Sequence, residues 1–377
     1  MSTDFWIYAD IASFCISLVL TGIIIPQILL IAFRRKLFDE VDERKIHKGV
    51  VPRLGGIAFL PAIIFSVCLV MAVSVSMGID VASRLMADST QWIMYLLCAQ
   101  MLMFLIGIAD DLIGVRYKAK FAGQIIAAVF ICASGAYIHN VGGLLWVNEI
   151  PAWFGWCVSG FCVVYLVNAI NLIDGIDGLA SGLSGIALIF YGIVLTMAKE
   201  WVLAILVWAQ FGTLLPFFYY NVFGNPSKRK KIFMGDTGAL TVGMMLSFVA
   251  LRVTNISSGE IPVDYNKIVL AFSPLFIPVF DVVRVYFHRV RNHRNPFLPD
   301  KCHIHHKLLA LGLSQRVSLC IILLSAVVLM LANVALSPFV SATWLLAGDV
   351  ALWIFGNLII TRIIRRREAD SHVTLYD

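Results

Sequence analysis

Asp110 and Asp111 stand side by side in Asp110-Asp111-Leu112-Ile113-Gly114, where a long apolar run ends. Adjacent carboxylates repel, and desolvation at a membrane edge raises the cost of ionising both. A hard cation relieves the repulsion. Mg²⁺ takes one or two carboxylates and completes its shell with water and substrate phosphates. A solvated pair that stops a helix accounts for the same two residues. A second group is Asn168-Ala-Ile-Asn171-Leu-Ile-Asp174-Gly-Ile-Asp177-Gly178. Polar residues at every third position form one slowly drifting stripe on a helix, and such a stripe in an apolar segment needs partners or water. Gly175 and Gly178 loosen the chain where it leaves the apolar run and admit a ligand to the backbone.

Three further groups carry polar chemistry. Phe233-Met-Gly-Asp236-Thr237-Gly238 follows the basic run Lys228 to Lys231. It supplies a third carboxylate for a metal and a flat ring for a base, or else Asp236 or Thr237 simply caps a helix. Asp300-Lys-Cys-His303-Ile-His305-His306-Lys307 crowds three imidazoles together. A structural zinc site wants four ligands, commonly with cysteine, and no clear fourth is present. A phosphate pocket fits better, with imidazolium, Lys307, Arg291 and Arg294 neutralising a pyrophosphate; a basic loop facing lipid headgroups is the plainer account. The fifth group runs from Asp42 through Arg44, Lys45, His47 and Lys48 to the turn Pro52-Arg53-Leu54-Gly55-Gly56. Its basic part could be a topology signal alone. The turn suggests close backbone approach to a ligand and an anion near a helix N-terminus.

These groups need elements to position them, and composition says which. Of the 377 residues, 60% are apolar and 14% charged, and the mean hydropathy is +0.88. Soluble domains carry roughly 25% charge, so a soluble fold is excluded. Disorder, which needs the opposite composition, is excluded as well. The chain reads as an all-α polytopic membrane protein with a single membrane-embedded domain over 1–377. Eleven spans are predicted near 9–33, 54–77, 91–109, 120–138, 153–173, 179–198, 201–222, 237–255, 267–287, 317–336 and 342–362. With the N-terminus outside and the C-terminus inside, 25 of the 29 Lys and Arg fall on the cytoplasmic side, leaving Arg84, Lys199, Arg252 and Lys267 outside. That asymmetry fixes the orientation and explains the net charge of +6 without a nucleic-acid partner. No basic region precedes the first apolar run, so it is expected to stay as a span. The eight cysteines form no CxxC and read as small core residues rather than a disulfide framework.

On this map the five groups gather on the cytoplasmic face, in connections near 34–56, 109–119, 168–178, 223–237 and 288–316. A transporter would more often place its ionisable residues near the midplane. An interfacial site suits a reaction between a water-soluble molecule and a lipid headgroup. Transport of an anionic metabolite or a lipid-linked sugar stays as the alternative from another class.

In this order, the five groups resemble the polyprenyl-phosphate N-acetylhexosamine-1-phosphate transferase superfamily (glycosyltransferase family 4), over nearly the whole chain. Within it the chain is similar to the branch that moves GlcNAc-1-phosphate to undecaprenyl phosphate. The muramoyl-pentapeptide branch has a Pro-Thr-Met-Gly-Gly turn and a histidine triplet, unlike Pro52-Arg53-Leu54-Gly55-Gly56 and His303-Ile304-His305-His306. The resemblance implies a UDP-N-acetylhexosamine donor, UDP-GlcNAc or a GalNAc, QuiNAc or FucNAc relative. It also implies an undecaprenyl phosphate acceptor, Mg²⁺ or Mn²⁺, a bacterial inner membrane and a homodimer. By position it assigns Asp110, Asp111, Asp177 and His303 to catalysis, and Asp110, Asp111 and Asp236 to the metal. It assigns Lys48, Arg53, Asn171, Asp174, Phe233, His305 and His306 to substrate, with Phe233 stacking on uracil.

Overall fold

The computed structural model describes residues 3–37, 50–78, 90–256, 265–293, 295 and 302–371. Among them there is no strand, only an isolated antiparallel bridge between Asn140 and Glu149. Helix is what apolar segments adopt when lipid offers their backbone no partners. The helices are α1 (Thr3–Arg35), α2 (Phe59–Ser76), α3 (Thr90–Ile113), α4 (Tyr117–Ala133), α5 (Ala152–Ile173), α6 (Leu179–Met197) and α7 (Trp201–Phe218). They continue as α8 (Gly235–Thr254), α9 (Lys267–Phe272), α10 (Phe276–Arg291), α11 (Ile304–Ala310), α12 (Gln315–Leu336) and α13 (Ala342–Ser371).

Each of the eleven predicted spans falls on helix. Ten helical segments among the described residues are long and apolar enough to cross a bilayer. The predicted span 120–138 is the exception, since α4 has 17 residues. At 1.5 Å per residue it reaches about 25 Å, short of a hydrocarbon core of roughly 30 Å. The predicted span 267–287 is broken into α9 and α10 by a 3₁₀ turn, Ser273–Leu275, because Pro274 cannot donate within a helix. The chain is an all-α polytopic membrane protein.

α8 is the axis of the bundle: 94% of its apolar stretch is buried, against 22% for α1 and for α13. It packs on α3, α5 and α6. Small residues permit this closeness. A methyl group added to Gly107 of α3 would lie 2.3 Å from Thr237 Cα, and one on Gly56 would lie 2.0 Å from Gly238 N. The same approach seats the Pro52–Gly56 turn against the segment leading into α8. Phe233 N donates to Pro52 O (2.9 Å), Gly55 N to Phe233 O (3.0 Å) and Gly56 N to Met234 O (2.9 Å). The glycine pair therefore serves the protein's own backbone, where the sequence suggested approach to a ligand.

Candidate active site

α3 carries Asp110 and Asp111 to its last turn, and neighbouring residues on a helix point about 100° apart. Asp111 faces α8. Its Oδ1 accepts from Asp236 N (2.7 Å), and its Oδ2 from Thr237 N (2.9 Å) and Thr237 Oγ1 (2.6 Å). These are orphan donors of the first helical turn, so Asp111 caps α8 from a different helix. Neither Asp236 nor Thr237 caps α8 itself. Asp110 turns the other way. Its Oδ1 accepts from Val115 N (2.7 Å) and its Oδ2 from Lys120 Nζ (3.0 Å). Lys120 also donates to Asp236 Oδ1 (2.9 Å), which accepts from Asn171 Nδ2 at 2.5 Å. One ammonium from α4 thus lies between carboxylates from α3 and α8.

The polar stripe divides. Asn168 pairs with Gln124 of α4, donating to Oε1 at 2.6 Å, which satisfies a polar group inside the bundle. Asn171 reaches Asp236. Helix α5 then stops at Ile173, so Asp174 and Asp177 lie on the turn before α6 and not on the predicted helical stripe. Asn221 holds that turn by accepting from Gly178 N at 2.6 Å. Asp177 pairs with Lys231 at 2.5 Å, and Lys231 sits 6.0 Å from the centre of the Phe233 ring. Asp174 is open to solvent on a turn ringed by protein. The desolvation of that setting, then repulsion from Asp177, pushes its carboxyl up to about 7, opposed by Arg53.

Gly175 joins the turn to the histidines. A Cβ there would lie 2.1 Å from His305 Nε2, so only glycine lets the ring lie against the turn. The residue expected to admit a ligand admits an imidazole of the same chain. His305 is 1% exposed and lies between His303 (ring centres 5.8 Å apart, planes within 9°) and His306 (4.2 Å). Burial, then its histidine neighbours, holds it down to about 3, so it stays neutral where the sequence suggested imidazolium. Neither ring nitrogen of His305 has a hydrogen-bond partner. Lys307, expected at a phosphate, is buried and donates to Asn357 Oδ1 (3.2 Å) and Thr361 Oγ1 (3.0 Å) of α13. His303 is held differently, by Asp281 of α10 at 2.8 Å.

A cavity of about 440 Å³ opens beside the Asp177–Lys231 pair, lined also by Asn225, Gln315, Arg316 and Leu319. Its size lies in the range of small-molecule sites. Among the described residues no three His, Cys, Asp or Glu converge as a ready metal shell. The donors present do fit a sparser demand. Asp110 and Asp236 already flank one cation position, and Mg²⁺ uses one or two carboxylates with substrate phosphates. Asp111 accepts three hydrogen bonds from α8, whereas Asp110 Oδ2 and Asp236 Oδ1 meet the same exchangeable ammonium of Lys120, so Asp110 and Asp236 are the better pair.

The structure therefore gathers Asp110, Asp111, Asn171 and Asp236 at one point. It places Asp174, Asp177, Arg53 and Phe233 around the adjoining turn, and His303, His305 and His306 behind Gly175. Lys48, Arg294 and Asp300 lie outside the described residues. Sequence reading missed Lys120 and Lys231 as partners of specific acids, because these two were read for topology alone. It also missed Asp281, the single acid in the predicted span 267–287, although an ionisable residue within a span is itself a signal.

Residues 93–254, which hold the acidic pair, the stripe and Asp236, match the model of glycosyl transferase family 4. A probable undecaprenyl-phosphate N-acetylglucosaminyl 1-phosphate transferase of Bacillus subtilis is 32% identical, over 88% of this chain and 87% of its own. The undecaprenyl-phosphate alpha-N-acetylglucosaminyl 1-phosphate transferase of Escherichia coli K12 is 30% identical over 82% and 81%. Its counterpart in Yersinia pestis is 28% identical over 81% and 78%. With similarity of this extent and the family's segment spanning the assembled acids, the chain belongs to glycosyl transferase family 4.

Proposed function

We propose that this protein transfers GlcNAc-1-phosphate from UDP-GlcNAc to undecaprenyl phosphate, yielding the undecaprenyl-diphospho-sugar and UMP. The observation that carries the reading is the pair of carboxylates, Asp110 and Asp236, brought from separate helices to one cation position at the end of a membrane bundle. The names of the relatives support the transferred group and the acceptor; the UDP carrier is part of this proposal.

An acceptor phosphate monoester is largely ionised near pH 7, its second pKa being about 6. Its oxygen forms a bond to the β-phosphorus of the donor, the bond from that phosphorus to the bridging oxygen breaks, and UMP leaves with the electron pair. Such a step needs alignment and charge neutralisation more than a strong base. Mg²⁺ or Mn²⁺, held by Asp110 and Asp236, would neutralise the diphosphate and the leaving phosphate. Asp111 keeps α8 in register so that Asp236 stays opposite Asp110. Asp177 and Lys231 border the cavity, Phe233 offers a face for the uracil ring, and Arg53, His303 and His306 take the sugar and its phosphates, with the buried His305 as the packing between them. Direct attack is favoured over a phospho-enzyme, because a carboxylate paired with a cation is a poor nucleophile.

Purified full-length protein in detergent, given uridine-labelled UDP-GlcNAc, should release UMP only when undecaprenyl phosphate and Mg²⁺ are both present. Uptake into vesicles without UMP release would favour transport instead. A panel of UDP-GalNAc, UDP-QuiNAc and UDP-FucNAc fixes the donor. The site is proposed to face the cytoplasm of a bacterial inner membrane, and a reporter fused after Asp377 should read cytoplasmic; an external reading would reverse that assignment.

A further inference from the structure

We propose that Asp281, braced by Arg284, is a positioning residue that fixes the tautomer and orientation of His303; its effect on turnover rests on the transfer activity proposed above. Asp281 has no accessible surface and sits in α10 within an otherwise apolar stretch. A buried carboxylate needs partners, and this one has three from two elements. Its Oδ1 accepts from Arg284 Nη2 (2.8 Å) and from Ile304 N (3.0 Å), and its Oδ2 meets His303 Nδ1 at 2.8 Å. Arg284 Nη2 also donates to Cys302 O at 2.5 Å. The segment entering α11 is thus tied at Cys302, His303 and Ile304 to one pair of α10 residues.

An ionised carboxylate can only accept hydrogen bonds. Arg284 keeps Asp281 ionised, so Nδ1 of His303 must carry a proton. In the neutral ring that leaves Nε2 with a lone pair, able to accept a proton or a hydrogen bond from a sugar hydroxyl, and able to donate to a phosphate oxygen only once it too is protonated. Arg284 alone would satisfy a purely structural acid, and the backbone N–H of Ile304 shares the same oxygen. The other carboxylate oxygen is given to His303. The contrast with His305, whose ring nitrogens have no partner, marks His303 as the ring held for use.

Two readouts test this on the full chain in nanodiscs. The first needs no substrate. Nitrogen-15 NMR of histidine-labelled protein identifies His303 by the resonance lost in His303→Ala. It should show a protonated Nδ1, and Asp281→Asn should move that resonance. A His303 protonated at Nε2 alone, or unmoved by Asp281→Asn, overturns the proposal even if the transfer activity is wrong. The second is a double-mutant cycle on UMP release. Carboxylate partners of metal-ligating histidines are typically worth 10- to 100-fold, and by that analogy Asp281→Asn should lower kcat by roughly that factor and leave the donor KM within about 3-fold. In a His303→Ala background it should add less than about 3-fold. Multiplicative losses in the double variant would make Asp281 merely architectural. Asp281→Glu keeps a carboxylate and should recover part of kcat, and it serves in both readouts if Asp281→Asn does not fold. A Glu variant that folds but is as impaired as Asn or worse also overturns the proposal. Full activity in His303→Ala would instead remove His303 from the reaction and leave the NMR result standing.

Discussion

The carboxylate side and the imidazole side of this site are built on opposite plans. On the first, acids from α3, α8 and the turn before α6 share two lysines, Lys120 and Lys231. On the second, three histidines lie ring against ring, the first held by a single acid, Asp281, and one of them is buried so completely that it carries no charge at neutral pH. The first side holds its carboxylates around lysine ammoniums. The second is a shaped wall whose one tethered ring is aimed by a neighbouring helix. Charge handling and shape are thus divided between elements far apart in sequence.

The largest effects should come from the carboxylate side. Asp110→Asn or Asp236→Asn is expected to lower UMP release on the order of 10²- to 10³-fold or more, as for loss of a principal transition-state charge partner. EDTA should abolish activity and Mg²⁺ or Mn²⁺ restore it. Wild-type turnover in either variant would remove the cation position from the mechanism. Asp111→Asn should differ in kind, lowering the thermal unfolding midpoint as well, since a helix cap is worth about 1–2 kcal/mol. A variant as stable as the parent would return Asp111 to the metal.

Next comes the nucleotide. Base stacking is worth roughly 1–3 kcal/mol in single-strand binders. On that scale Phe233→Ala should weaken UDP-sugar binding by roughly 5- to 150-fold with little change in kcat, read by titration calorimetry and steady-state kinetics. Unchanged affinity would move the base elsewhere.

Smaller effects test the wall. Gly175→Ala should destabilise the protein by roughly 1–3 kcal/mol through overpacking, and His305→Ala should relieve that loss; additive destabilisation would mean that the ring and the turn do not share the space. His305 also predicts a pH dependence. Its ring gains a proton near 6.5 when unfolded but only near 3 when folded. Its contribution is therefore fully present above pH 6.5 and lost as pH falls towards 3. Between pH 6.5 and 5 this amounts to at most about 2 kcal/mol. A His305→Asn variant should show a flatter fall in unfolding midpoint across that window, and an unchanged slope would mean the ring is hydrated.

The motifs themselves were legible in the sequence because they are local. Asp110-Asp111, Asn171 to Asp177 and His303 to His306 announce themselves by spacing, and the apolar runs between them predicted where helices lie. What spacing cannot carry is direction. Asp110 and Asp111 look equivalent in sequence, yet one caps α8 and the other meets Lys120 of α4, because only the packing of α8 distinguishes the two faces of α3. Gly55, Gly56 and Gly175 read as openings for a ligand. They are contacts within the protein, since a glycine marks close approach without naming what approaches. Asp281 was a signal as a lone acid in a span, but its role was hidden, since beside Arg284 its partners lie 22 and 23 residues further on.

The central place of α8 also bears on how the protein is made. The backbone of Gly55 and Gly56 and the carboxylate of Asp111 all find their partners between Phe233 and Thr237. Synthesis from the N-terminus delivers those partners only after the seven helices α1 to α7. Until then Gly55, Gly56 and Asp111 lack the partners that the complete chain gives them. A nascent chain halted before residue 233 would carry half an active site and a vacant axis, and quality-control proteases would meet it as a substrate, not as a shorter enzyme.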